Sequence, residues 1–244
     1  MCPQRYAYRH ILGIDCGSKM PLVRGGLVHV GLAHHFVMMK AGINPNDYWT
    51  PSEAIDLVAA SDGELGQELK PLVHSAVEAY IDQHKDWFEV VLVEEEIQAT
   101  LKDTWLFTMR WDLAWRDASG RYWLVDHKTT GNLRSKGPSC YDHSGQVLAM
   151  QYLGSKVWGN QFGGVILNFI GMKPPFTFAQ RQPAPAPNLV NHIVDDLCYL
   201  EEGIARLEAS GRDPKEWPRA VHEHACHTRY GECDYYDLCS WGLR

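Results

Sequence analysis

Asp126 and Lys128 stand two residues apart near the end of "YWLVDHKTT" (122–130), a run otherwise suited to a buried strand. Strand side chains alternate faces, so residues i and i+2 share one. An acid and a base are thereby placed side by side at a strand end. A second acid, Asp112, lies in "WLFTMRWDLAW" (105–115), and "DASG" (117–120) is a good turn between the two runs. With that turn centred between Ala118 and Ser119, partners across the hairpin have numbers summing to about 237. Asp112 and Asp126 sum to 238 and so face one another, to within one residue of bulge.

Two carboxylates this close repel unless something positive sits between them. A divalent cation meets that need, and hard oxygen donors favour magnesium or manganese. Lys128 beside it can orient or deprotonate a water. A cation that holds the nucleophile, with positive charge to steady an anionic transition state, is equipment for hydrolysing a phosphodiester. For Asp126 and Lys128 alone an ordinary cross-strand salt bridge is the better explanation; the opposing Asp112 brings the metal reading level with it.

Other residues carry weaker chemistry. His29, His34 and His35 fall on one mostly apolar helical run, where histidines are usually just packed. Glu94, Glu95 and Glu96 end a strand and read as a solvated edge. Arg134 and Lys136 follow the acidic strand, where they suit a phosphate backbone or a solvated loop equally. Trp105, Trp111, Trp115 and Trp123 read as core. Of seven cysteines, Cys226, Cys233 and Cys239 crowd into the last nineteen residues, which favours a metal or iron–sulfur site over a disulfide framework. His222, His224 and His227 around Cys226 keep zinc open as the alternative.

The elements that must position these residues follow from periodicity. Residues 1–12 can open a helix, 21–40 suit a helix with Pro21 near its start, and 42–52 read as a loop. Residues 53–60 and 64–84 are helical, with Pro71 expected to kink or split the second. Three antiparallel strands follow at 88–101, 105–115 and 121–128, then a helix over 142–157 and a buried strand at 163–172. A short strand and an extended Pro-Ala segment occupy 173–188. Leu189, Ile193, Leu197, Leu200, Ile204 and Leu207 stripe an amphipathic helix over 189–209. That order fits an α/β fold, a mixed central sheet flanked by helices, with a cysteine-rich C-terminal tail.

The 244 residues, 45% of them apolar, can bury one large core. The expected organisation is a single domain over 1–244: a mainly helical part (1–87), the sheet with its following helix (88–172), and the last helix and tail (189–244). A formal charge of -7 argues against a broadly basic binding face but leaves room for a local one. No apolar run long enough for a membrane span and no apolar leader is seen, so a cytoplasmic, membrane-free setting is expected.

"RWDLAW…YWLVDHKTT" resembles the RecB-like branch of the PD-(D/E)XK nucleases, whose core is an Asp on one strand and D/E-x-K-T on the next. "GGLVHVGL" resembles that branch's upstream G-x-x-H-x-x-L helix, "SGQVLAMQY" its Q-x-x-x-Y helix, and "CPQRYAYRHILG" with "CHTRYGECDYYDLC" the paired ends of members that carry an iron–sulfur cluster, as in AddB-like and CRISPR-adaptation nucleases. The resemblance covers nearly the whole chain. It implies a restriction-endonuclease-like core, with a metal held by His29, Asp112, Asp126 and the main-chain carbonyl of His127. It further implies Lys128 and Gln146 as catalytic partners, and Cys2, Cys226, Cys233 and Cys239 as ligands of a [4Fe–4S] cluster that joins the chain ends. Three departures stand out. Met150 occupies the family's Tyr position, with Tyr152 two residues on; "MRWD" lacks the Gly before the first acid; and the tail cysteines are spaced C-x6-C-x5-C. The implied activity is a magnesium- or manganese-dependent DNA nuclease, an exonuclease on single strands or DNA ends, in recombination, repair or phage DNA processing. Arg134, Lys136 and Tyr152 would contact DNA, and a helicase or recombination protein would be the partner. The alternatives are a non-catalytic nucleic-acid- or partner-binding module on the same fold and a metal-dependent RNase.

Overall fold

The computed structural model describes residues 2–17, 19–43, 50–84, 88–131, 133, 139–220, 226–228 and 231–241. The chain forms two compact units: Leu22–Val194, and Met1–Pro21 together with Asp195–Arg244.

The larger unit is built on a five-stranded mixed sheet of order β1-β2-β3-β4-β5: β1 (Glu89–Leu101), β2 (Trp105–Arg116), β3 (Tyr122–Thr130), β4 (Phe162–Gly171) and β5 (Thr177–Arg181). The first three strands form an antiparallel meander, β3 and β4 run parallel, and β5 is antiparallel to β4. A parallel pair needs a crossover, and here it contains helix α5 (Gly145–Trp158). On one face, α2 (Met20–Ala41), α3 (Pro51–Ser61) and α4 (Gly63–Gln83) bury Leu27, Leu32, Phe36, Ile55, Val77 and Tyr80 against Leu113, Val125 and Ile166. On the other, α5 buries Val147, Met150 and Leu153 against Trp111, Leu124, Leu167 and Phe169.

Local chemistry fixes several boundaries. Thr50 and Glu53 form a reciprocal capping box, and Pro51 occupies the first turn of α3. Ser144 caps α5 by accepting from the Val147 N–H, which sets Gln146 in the helix's first turn. Asp117 accepts from the N–H groups of Ser119 and Arg121 and so locks the β2–β3 turn. Contrary to expectation, Pro71 does not split its helix: α4 runs unbroken from Gly63 to Gln83. Pro71 and Gln67, four residues earlier, are both exposed, so the carbonyl that proline leaves unpaired can turn to water.

The smaller unit brings the chain ends together. Helix α1 (Pro3–Tyr6) continues as a π-helical turn over Ala7–Ile11. Gln4 donates from its N–H to Pro218 O at 3.1 Å and from Nε2 to Pro214 O at 2.7 Å. The Tyr235 hydroxyl donates to Ile14 O, and Lys19 pairs with Asp234 at 2.9 Å. Ala7, Ile204 and Trp217 form a small core. Within this unit lie the outer part of α6 (Pro187–Ala209), the hairpin of β6 (His227–Thr228) and β7 (Gly231–Glu232), and α7 (Tyr236–Trp241).

Candidate metal centre

β2 and β3 pair in the register Leu113↔Val125 through Arg116↔Tyr122, a constant sum of 238, so Asp112 and Asp126 stand one step beyond the last ladder pair. There the ladder gives way to a side chain: the His127 N–H donates to Asp112 Oδ2 at 2.8 Å. The faces also change at this point. Phe107, Met109 and Trp111 join the α5-side core, whereas Leu113 and Trp115 join the other, although an undisturbed strand would send all five one way. β1 makes the same switch between Val93 and Ile97. Between them, Glu94 has φ 49°, in the left-handed region that costs a non-glycine residue about 1–2 kcal/mol. The flanking pairs Val93↔Leu113 and Glu95↔Trp111 put Glu94 opposite Asp112.

These distortions aim both acids at α2. His29 Nδ1 lies 3.5 Å from Asp112 Oδ2 and 3.7 Å from Glu94 Oε1. Its Nε2 lies 3.0 Å from the main-chain oxygen of His127. His127 thus turns both backbone polar groups toward the centre, N–H to Asp112 and C=O to His29. Its ring points the other way, stacked 5.9 Å from Phe36, edge-on to Tyr80, and bonded through Nδ1 to the Asn168 amide nitrogen at 2.8 Å. Asn168 is fully buried, and neither its Oδ1 nor His127 Nε2 has a partner among the described residues. An unsatisfied buried group costs about 1–3 kcal/mol, so the pair holds the His127 backbone at some expense.

Asp126 faces the α5 side. Lys128 Nζ donates to Asp126 Oδ1 at 3.0 Å and lies 2.7 Å from Oδ2, outside hydrogen-bonding geometry to that second oxygen. Lys128 also donates to Gln146 Oε1 at 2.9 Å, while Gln146 Nε2 donates to Asp126 Oδ1 at 2.8 Å. The three side chains close a triangle, with the Tyr141 ring 5.7 Å from the ammonium.

Electrostatics mark the centre as short of positive charge. Burial, together with Asp126 and Glu94, raises Asp112 from 3.8 to about 6, against the opposing pull of His29 and the His127 N–H. Burial presses the His29 pKa down, but the carboxylates of Glu94, Asp112 and Asp126 outweigh it and leave the imidazole more basic than usual. Burial keeps the His127 ring neutral. Among the described residues, His29, Glu94 and Asp112 are the one set of three or more His, Cys, Asp or Glu ligand atoms within 4.8 Å of one another. An imidazole nitrogen and two carboxylates around uncompensated negative charge fit a hard divalent cation.

Six expected residues therefore fall into two neighbouring clusters: His29, Asp112 and the His127 backbone in one, and Asp126, Lys128 and Gln146 in the other. Glu94, read from sequence as solvated edge, joins the first, and Asn168 stands behind His127. Tyr152 lies elsewhere on α5, packed against the core, with Lys156 Nζ 5.6 Å from its ring centroid. Arg134 and Lys136 fall outside the described residues, as do His222 and His224. In the smaller unit, Cys2, Cys226, Cys233 and Cys239 are half-buried free thiols. Cys2 Sγ accepts from the Ala220 N–H at 3.5 Å, and the Cys233 N–H donates to Cys226 O at 2.7 Å. Burial raises the Cys239 pKa, Cys2 and Cys233 reinforce the rise, and Arg219 opposes it.

The model of the PD-(D/E)XK nuclease superfamily matches residues 1–240. The chain belongs to that superfamily. Its sheet, with a carboxylate on β2 and Asp-x-Lys on the adjoining strand, has the restriction-endonuclease-like form expected of this nuclease superfamily. Among solved structures, a protein described as "Putative exonuclease" from Eubacterium rectale is similar at TM-score 0.54 and 12% identity, over 93% of this chain and 81% of that one. The protein SSO0001 aligns over 99% of this chain and 96% of its own at 15% identity, with a TM-score of 0.39. No curated protein matches the sequence. No helix among the described residues is long and apolar enough to cross a membrane.

Proposed function

We propose that this superfamily member is a magnesium- or manganese-dependent deoxyribonuclease of the RecB-like branch, an exonuclease acting on single-stranded DNA or DNA ends. The observation that carries this reading is the pairing of two arrangements. Asp112, which accepts from the His127 N–H, meets His29 at Nδ1, and the His127 carbonyl meets the same ring at its other nitrogen, Nε2. On the adjoining strand, Lys128 is clamped between Asp126 and Gln146. In the proposed roles, His29, Asp112, Asp126 and the His127 carbonyl hold the ion, which when bound supplies Lewis acidity and an acidified water. Lys128, fixed by Asp126 and Gln146, orients the attacking water and steadies negative charge developing on the phosphate. Gln146 keeps the ammonium in register. Tyr152, Arg134 and Lys136 contact the DNA strand.

The whole chain is read as one nuclease domain. Cys2, Cys226, Cys233 and Cys239 hold a structural [4Fe–4S] cluster; four thiols supplied by converging chain ends suit it. The setting is cytoplasmic, in recombination, repair or phage DNA processing beside a helicase or recombination partner.

The test is an end-labelled single-stranded DNA assay, with duplex and RNA arms. Cleavage requires magnesium or manganese, stops with chelator, and is lost in Lys128→Ala while the circular dichroism spectrum is kept. Full activity of Lys128→Ala sinks the mechanism, and preference for the RNA arm transfers the reading to an RNase. Protein purified without oxygen should be brown with bound iron; a colourless protein holding zinc replaces the cluster.

A further inference from the structure

The three consecutive glutamates of β1 have different fates. Glu95 takes an ion pair from Lys40 at 3.3 Å, and Glu96 accepts from Gln98 at 3.0 Å. Glu94 instead turns toward α2 and meets His29. Its contact is too long for a direct bond. A hydrogen bond between charged partners closes to about 2.7–2.9 Å, whereas Glu94 and Asp112 stand 3.7 and 3.5 Å from the same ring nitrogen. Ligands of an octahedral ion with bonds of about 2.1 Å lie about 3.0 Å apart along an edge and about 4.2 Å across the diagonal. The observed separations fall between those values, and the three donor atoms all lie within 4.8 Å of one another, close enough to share one ion.

We propose that Glu94 is itself a carboxylate ligand of the divalent cation, sharing it with Asp112 and the His29 Nδ1 that both acids face, while the His127 carbonyl holds the ring from Nε2. This rests on the metal-dependent reading above and changes its composition. Three elements then supply side-chain ligands, α2, β1 and β2, and the left-handed backbone at Glu94 is what delivers the one from β1. Asp126, the other acid assigned to the ion, is also the acceptor for Lys128 and Gln146.

The competing role for Glu94 is to orient His29 through a hydrogen bond, as carboxylates behind metal-bound histidines do. Manganese binding to the full chain, followed by electron paramagnetic resonance, separates the two. The variants are Glu94→Gln, Glu94→Ala and, as a control, Asp112→Asn. A ligand role predicts that Glu94→Gln and Glu94→Ala weaken manganese binding alike, by about 10-fold or more. Glutamine still accepts a hydrogen bond from His29, so wild-type affinity in Glu94→Gln with loss in Glu94→Ala overturns the ligand assignment. Wild-type affinity in both overturns any role in the centre. A wild-type chain that binds no manganese removes the metal-dependent reading itself, and this inference with it. Binding by wild type that is lost in Asp112→Asn but kept in both Glu94 variants removes this inference alone.

Discussion

Replacing Asp112 with asparagine should make the metal-free protein more stable at neutral pH. The carboxyl is raised from 3.8 to about 6 on folding, chiefly by burial and then by Asp126 and Glu94. A group whose pKa rises on folding takes up a proton as the chain folds between the two values. Stability therefore falls as pH climbs through that window and stays lowered above it. At 1.36 kcal/mol per pH unit, the shift amounts to about 3 kcal/mol of lost stability above pH 6. That shift already sets the attraction to His29 against burial, and the substituted amide would still accept from the His127 N–H, so the net gain should be about 1–3 kcal/mol. In a chain of this size that corresponds to about 2–10 °C in Tm. The assay is urea unfolding of both proteins in chelator from pH 4 to 8. The two curves should nearly coincide at pH 4 and separate up to about pH 6, with Asp112→Asn the more stable. Saturating manganese should reverse the order, because only the wild type gains binding free energy. Taking the difference between the proteins cancels carboxyls that titrate alike in both. Equal or lower stability of Asp112→Asn in chelator at pH 8 would refute the claim that this acid is held against its own solvation for a cation.

Other expectations are shorter. Asn168→Leu should weaken manganese binding about 10-fold by loosening the His127 ring and, through it, the carbonyl beside His29, as measured by the same titration. Gln146→Ala should lower kcat about 10- to 100-fold with a much smaller loss of manganese affinity, because it frees the ammonium and removes one hydrogen bond to Asp126 but leaves His29, Glu94 and Asp112 in place; steady-state kinetics on labelled DNA checks the split. Gly154→Ala should cost about 1–3 kcal/mol in urea unfolding, since a Cβ there would stand 2.4 Å from the Phe162 ring in the α5 core.

The hairpin arithmetic that set Asp112 against Asp126 works because the "DASG" turn is short and its register constant, and the same sum appears in the sheet. Applied to the turn at 102–104, it gives 206 and sets Glu94 opposite Asp112, as the β1–β2 register does. Glu94 was therefore legible in position. Its direction was not, because period-two alternation assumes extended backbone and Glu94 leaves it. Asn168 carried a fainter signal, one amide inside "GGVILNFIGM", and only the parallel pairing of β4 with β3 shows that it meets His127. Pro71 does not split its helix because the rule against proline in helices weakens when the orphaned carbonyl faces water. The meeting of the chain ends was readable only through resemblance, since no local period links residue 4 to residue 218.

The gap that opens between β2 and β3 after Leu113 and Val125 divides the centre between two cores. His29, Glu94 and the Asp112 carboxylate answer to the packing of α2. Lys128 and Gln146 answer to α5 on the opposite face. In the proposed roles, the grip on the ion and the aim of the lysine are thus two adjustments, joined by Asp126 and the backbone of His127. A volume change beneath α5 would fall mainly on the chemistry, and one beneath α2 mainly on metal affinity. Selection or engineering could therefore alter the preferred cation and the turnover rate one at a time, by mutations that never touch a ligand.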